Sequence, residues 1–184
     1  FLVLAWIACA WWIAIAIWML SGGTVLPLLT VVLAGAMGLL PAWYTVIHLF
    51  ASKQHSWLFV WIAAIVAAAD TGAFFVGRAF GRIKLAPAIS PGKTREGMIG
   101  GIGFAALVSA GGAVLAGQNV LIFALGGALI AMISVVGDLL VSTCKRRAGL
   151  KDSGWILPGH GGVLDRIDGL LAALPLFLLL LVAF

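Results

Sequence analysis

The stretch VLDRIDGLLAALPLFLLLLVAF, residues 163–184, is an apolar run long enough to cross a bilayer, yet its first turn holds Asp165, Arg166 and Asp168. A helix needs about 20 apolar residues to span the hydrocarbon core. Working outward, comparable runs recur near residues 1–20, 25–50, 57–77, 98–117 and 120–143. The chain of 184 residues is 64% hydrophobic and 9% charged, with a mean hydropathy of +1.21, whereas soluble domains carry about 25% charged residues. The predicted fold is an all-α polytopic transmembrane helix bundle of about six spans. The chain begins at Phe1 inside an apolar run, so it is expected to be a piece of a longer protein. With no basic residue before it, that run does not read as a cleaved signal peptide.

Cys9 and Cys144 lie far apart and belong to no CxxC or Cys/His cluster. That excludes a disulfide framework or a zinc site and leaves two small apolar fillers. The net charge of +5 has no soluble domain to present it, so it suits lipid headgroups or a phosphorylated substrate and not nucleic acid. In GMIGGIGF (97–104), Gly97 and Gly101 stand four apart, a spacing that predicts close helix contact.

Connectors fall at 21–23, 51–56, 78–97, 117–119 and 144–162. Alternating spans put the first, third and fifth on one side. All of the 11 lysines and arginines except Lys53 lie on that side, which predicts that the two long loops, 78–97 and 144–162, face the cytoplasm. The six acids, Asp70, Glu96, Asp138, Asp152, Asp165 and Asp168, fall in the same half. Asp70 stands about 12 Å before Arg78 along its helix, and Asp138 about 7 Å inside the expected end of its span.

Carboxylates within a span cost about 2.5–3.5 kcal/mol at its centre and need a metal, a cation or water. Asp165 and Asp168, three apart, share a helix face, as do Asp138 and Ser142, with Lys145 a turn further if the helix continues. Such oxygens suit a hard cation that keeps positions open for water and phosphate. The competing reading is ion pairing within the bundle, for example Asp165 with Lys145 or Arg146. The basic residues match the acids. SPGKTREG (90–97) sets Lys93 and Arg95 just before a span, where free backbone N–H groups suit a phosphate. KRRAGLKD (145–152) adds Lys145, Arg146, Arg147 and Lys151; a solvated basic loop is the alternative, and Arg82, Lys84 and Arg147 are left on it. PGHGG (158–162) sets glycines and His160 against Asp165, which suggests backbone approaching a ligand closely. His160 reads equally as a phosphate hydrogen-bond donor or as a loop-packing residue. His48 and His55 lie apart from these groups.

Residues 142–168, with Ser142, Lys145-Arg146, Lys151-Asp152, Pro158-Gly159-His160-Gly161-Gly162 and Asp165-Arg166-Ile167-Asp168, resemble the signature of the phosphatidate cytidylyltransferases, also called CDP-diacylglycerol synthases. Residues 70–97 look like that family's other polar region. Cys144 stands where the family usually has a bulky apolar residue, which alters packing, and Arg95 where tryptophan is usual, which bears on lipid contact or nucleotide fit. Residues 1–69 match only in being transmembrane and are shorter than in the family. The chain therefore divides into N-terminal spans, 1–69, and a catalytic region, 70–184.

The resemblance implies that CTP and phosphatidic acid give CDP-diacylglycerol and pyrophosphate, with Mg2+ and an arrangement that suits a second cation. It implies Asp138 and Asp165 as the principal metal ligands, Asp168 and Asp152 as weaker ones, and Lys93, Lys145, Arg146 and Lys151 as phosphate contacts. Ser142 and His160 would donate hydrogen bonds, and Asp70 would hold either a polar network or the cytidine. It implies a bacterial inner-membrane enzyme facing the cytoplasm, surrounded by lipid and compatible with a homodimer. The nearest rival is a membrane phosphotransferase for another lipid phosphate. A cation-coupled transporter would need charge near mid-membrane with access from both faces, and the opposite face holds only Lys53.

Overall fold

The computed structural model describes residues 2–21, 27–51, 56–155 and 161–183. Within them run α1 (Leu2–Leu20), α2 (Leu28–Ala51), α3 (Ser56–Phe80), β1 (Lys84–Ala86), β2 (Ser90–Thr94), α4 (Arg95–Ala116), α5 (Val120–Arg147) and α6 (Leu164–Ala183). The helices α1 to α5 are long and apolar enough to cross a membrane. The sixth, α6, has similar length but three charges at its start and runs with them. The outer faces keep large apolar side chains exposed, Leu107 and Leu115 among them, as lipid-facing surfaces do. The chain is an integral membrane protein with an all-α polytopic bundle, as expected.

Helix ends follow from local chemistry. Gly117 adopts φ 65° and closes α4, with Gln118 N–H bonded to Ala113 O at 2.8 Å. Asn119 then opens α5 by accepting from Leu121 and Ile122 N–H, which accounts for the tight turn at 117–119. Gly149, at φ 70°, closes α5 the same way, with Leu150 N–H on Lys145 O.

Two boundaries differ from expectation. The 78–97 segment is not an open loop: α3 continues to Phe80, and an antiparallel hairpin pairs Lys84 with Thr94 and Ala86 with Ser90. This pairing satisfies backbone groups close to the membrane surface. Helix α5 also runs on to Arg147, so Lys145, Arg146 and Arg147 ride its last turn. There their positive charge meets the negative end of the helix dipole.

The core gathers Leu49, Ile62, Ile65, Ile130, Leu174 and Phe177 from α2, α3, α5 and α6. Helix α6 touches α1, α2, α3 and α5, and its Ala172, Ala173 and Leu174 are buried. Small residues set the helix spacing. An added Cβ at Gly101 would lie 2.5 Å from Ala69 O, and one at Gly97 2.8 Å from Ala73 O. The expected close contact of Gly97 and Gly101 is therefore made, against α3. Gly137 does the same for α5 and α6, where a Cβ would lie 2.5 Å from Asp168 O.

Candidate active site

The two polar segments meet at one end of the bundle. Arg146 Nε donates to Ile89 O in the hairpin at 3.3 Å, tying the end of α5 to the segment that carries Lys93. The hairpin base is held by Glu96, whose carboxylate accepts from Arg82 N–H at 3.1 Å and Ile83 N–H at 3.2 Å. Thr94 caps α4 by accepting from Gly97 N–H. The start of α4, which was expected to offer free N–H groups to a phosphate, thus already spends Gly97 N–H on its own cap.

Below the hairpin, α3, α4 and α5 enclose a cavity of about 520 Å³ whose wall includes Asp70, Phe74, Arg78, Lys93, Met98 and Asp138. Lys93 Nζ is ion-paired with Asp138, and Ser142 Oγ donates to the other oxygen of that carboxylate at 3.3 Å. Lys93 and Asp138 remain about 29% exposed, so the pair is reachable from the cavity. Asp70 stands ten residues before the end of α3 at Phe80 and Asp138 nine before the end of α5 at Arg147. At 1.5 Å per residue both lie about 14 Å below the helix ends, deeper than the expected boundaries placed them. Asp168 comes close because Gly137 lets α6 pack against α5. Asp70, Asp138 and Asp168 act on one another electrostatically, with Lys93 opposing.

Asp165 belongs to a second network. Lys145 Nζ pairs with its Oδ1, while Ser153 N–H, Ser153 Oγ and Gly162 N–H all donate to Oδ2, at 2.8 to 2.9 Å. The ion pairing of Asp165 with Lys145, the competing reading from sequence, is what the structure holds. The glycines before α6 have a structural reason. Gly161 takes φ 81°, and a Cβ there would lie 2.7 Å from Asp165 Oδ2; one at Gly162 would lie 2.4 Å from Ser153 Oγ. The close approach read from those glycines is thus made to Asp165 and the 152–154 turn. Asp152 and Lys151 are exposed on that turn. His160 and His55 lie outside the described residues.

The predicted residues therefore sort into a cavity group (Asp70, Lys93, Asp138 and Ser142, with Asp168 beside it) and a loop group (Lys145, Lys151, Asp152 and Asp165). Arg146 bridges from α5 to the hairpin. Sequence reading missed Arg78, Phe74 and Met98 as cavity wall; the signal for Phe74 and Arg78 is their spacing of four and eight from Asp70, along one face of α3.

Among the described residues no three His, Cys, Asp or Glu side chains form a closed metal cage. Magnesium does not require one: it binds through one or two carboxylates and fills its octahedron with water and substrate phosphate. Asp138 and Asp168, near enough to act on each other electrostatically, offer carboxylates of that kind. Asp165 stands one turn before Asp168 and would join them on releasing Lys145.

The sequence model of the cytidylyltransferase family matches residues 1–184. The chain is 45% identical over 150 residues to the phosphatidate cytidylyltransferase of Pseudomonas aeruginosa, covering 80% of this chain and 55% of that one. It is 48% identical over 127 residues to the phosphatidate cytidylyltransferase of Haemophilus influenzae, covering 65% and 44%. To that of Staphylococcus aureus it is 41% identical over 130 residues, covering 70% and 48%. The chain spans about half the length of the curated relatives it matches. On a match that runs from its first residue to its last, the chain belongs to the cytidylyltransferase family.

Proposed function

We propose that this chain carries the catalytic centre of a phosphatidate cytidylyltransferase, a step of phospholipid biosynthesis. A phosphate oxygen of phosphatidic acid attacks the α-phosphorus of CTP. The bond from that phosphorus to the bridging oxygen of the β-phosphate breaks, and CDP-diacylglycerol forms as pyrophosphate leaves. The observation that carries this reading is the cavity at the charged end of the bundle, walled by Asp70, Arg78, Lys93 and Asp138. It reaches into the membrane far enough for a lipid phosphate and stays open to a polyanion. The names of the relatives support the same substrates.

In phosphoryl transfer the protein mainly positions reactants and neutralises charge. Lys93 and Lys145 are each held by one aspartate. A triphosphate arriving between them draws both ammonium groups towards its oxygens and leaves Asp138 and Asp165 with unbalanced charge. Asp138 and Asp168, with Asp165 joining them, would hold a magnesium ion, which would supply positive charge to the reacting phosphates; room for a second cation and a ligand role for Asp152 belong to the same proposal. Ser142 steadies Asp138. Arg146 holds the hairpin so that Lys93 faces the cavity, and its remaining donors, with Lys151, attract nucleotide phosphates from the cytoplasm. Asp70 orders the polar wall or meets the cytidine.

We place the protein in a bacterial inner membrane with this site on the cytoplasmic side, consistent with the loop charges and the bacterial relatives. A homodimer forms part of the proposal, and crosslinking in native membranes tests it. The deciding experiment supplies labelled CTP, magnesium and phosphatidic acid to the purified chain in mixed micelles. Label entering an organic-soluble product is expected. Absence of that product, or transfer only to a polyprenyl phosphate, overturns the reading.

A further inference from the structure

The cavity wall carries two cations in different situations. Lys93 is committed to Asp138. Arg78 also lines the cavity, is exposed, and makes no hydrogen bond or ion pair among the described residues. It shares one face of α3 with Asp70 and Phe74, at steps of four, and these three side chains descend the wall in order. Arg78 lies two residues from the end of a helix of 25 residues, which at 1.5 Å per residue is about 37 Å long. That exceeds the roughly 30 Å hydrocarbon core, so the last turn of α3 stands at the depth of lipid phosphates. Asp70, about 12 Å further in, does not. Beneath Arg78 the wall is apolar, with Phe74, Met98 and Ile102. A guanidinium at headgroup depth over an apolar wall is complementary to a phosphomonoester attached to acyl chains.

We propose that Arg78 forms the subsite for the phosphomonoester of the lipid acceptor, which sets the lipid's phosphate at the mouth of the cavity with its glycerol end against Phe74 and Met98. This inference rests on the function proposed above and names the acceptor side of it. The planar guanidinium grips two phosphate oxygens at once, which an ammonium cannot do. A phosphodiester headgroup offers less charge to that fork, so the subsite selects phosphatidic acid over the surrounding phosphodiester lipids.

The same chemistry is present in the phosphates of CTP, so the test has two arms. Affinity for short-chain phosphatidic acid in detergent micelles is measured by intrinsic tryptophan fluorescence. Affinity for CTP is measured by equilibrium dialysis, and turnover gives a KM for each. For Arg78→Ala, the lipid affinity falls and the lipid KM rises by about tenfold, the loss expected for a hydrogen-bonded charge contact. CTP affinity and CTP KM stay as in the wild type, and Arg78→Lys lies between. Arg78→Gln, which keeps length and packing, serves if the alanine variant does not purify as a folded species, and should match the expected alanine result. Unchanged phosphatidic acid affinity in these variants overturns the subsite, as does a loss of CTP affinity equal to the loss for lipid. Failure of the reaction reading looks different. Wild-type protein that binds phosphatidic acid through Arg78 but makes no CDP-diacylglycerol leaves the subsite standing and removes the transfer.

Discussion

Lys145 and Arg147 stand two residues apart on the last turn of α5, and their positive charges meet different surroundings. Lys145 is 17% exposed and paired with a carboxylate 9% exposed, whereas Arg147 is exposed and has no hydrogen bond or ion pair among the described residues. Removing one member of a mostly buried pair costs about 3 kcal/mol, while a change at an exposed site stays within about 0.5 kcal/mol. Lys145→Ala is therefore expected to lower the thermal midpoint clearly and to abolish CTP incorporation; Arg147→Ala is expected to leave both near wild type. Asp165→Asn removes the other member of that pair and should also lower the thermal midpoint; the protein should still fold and insert, because the amide oxygen can accept from Ser153 and Gly162, yet lose turnover at any magnesium concentration. Paired melting and incorporation assays check all three. At this scale the sequence was readable by residue type and by the shared end of the bundle. The partnering of Asp165 with Lys145, and of Asp138 with Lys93 across 45 residues, was not separable from other pairings, because charge spacing on one helix says nothing of which neighbour approaches.

Hairpin and helix contacts decide whether those residues meet. The Glu96 carboxylate holds Arg82 and Ile83 N–H at the hairpin base, and Arg146 holds Ile89 O near its tip. Glu96→Gln weakens the first clasp by removing its charge. Hydrogen exchange of the Arg82 and Ile83 amides should then speed up, while exchange within α5 and α6 stays unchanged. Uniform protection across the hairpin would count against this clasp. Gly137→Ala is a sharper test of the bundle. Its methyl group would meet the Asp168 carbonyl and the Ala172 side chain, neither of which can rotate away. Overpacking of this kind costs about 1–3 kcal/mol and parts Asp138 from Asp168, so turnover should fall further than stability does. The helices themselves were legible from length and apolarity, and Gly117 with Asn119 marked the 117–119 turn. The hairpin was not, since SPGKT has proline, glycine and lysine where β propensity favours branched or aromatic residues. Its pairing comes from anchoring at both ends by Glu96 and Arg146.

Across the whole molecule, polarity is arranged by depth. The charged end holds both loops, and the opposite end holds a cavity of about 350 Å³ lined by Trp57, Trp61, Phe123 and Phe177. With Cys9 and Cys144 replaced by alanine, a cysteine introduced at Lys151 should react with a membrane-impermeant maleimide only in inside-out vesicles, and one at Gln118 only in intact spheroplasts. The reverse pattern would move the site to the other face. The distribution of lysine and arginine predicts this orientation from sequence, because the rule depends on counts and not on contacts. The centrality of α6 was hidden, since its charged start resembles a membrane boundary and its apolar run resembles a lipid-facing helix. That centrality has a consequence for biosynthesis. While α1 to α5 enter the bilayer, Asp138 has Asp70 beside it but lacks the Asp168 carboxylate, and the gap among α1, α2, α3 and α5 lies open to lipid tails. The bundle completes its cluster of acids only when the helix made after them slides into that gap, so a translation product arrested before Leu164 would be embedded yet incompletely packed, a natural target for membrane quality-control proteolysis.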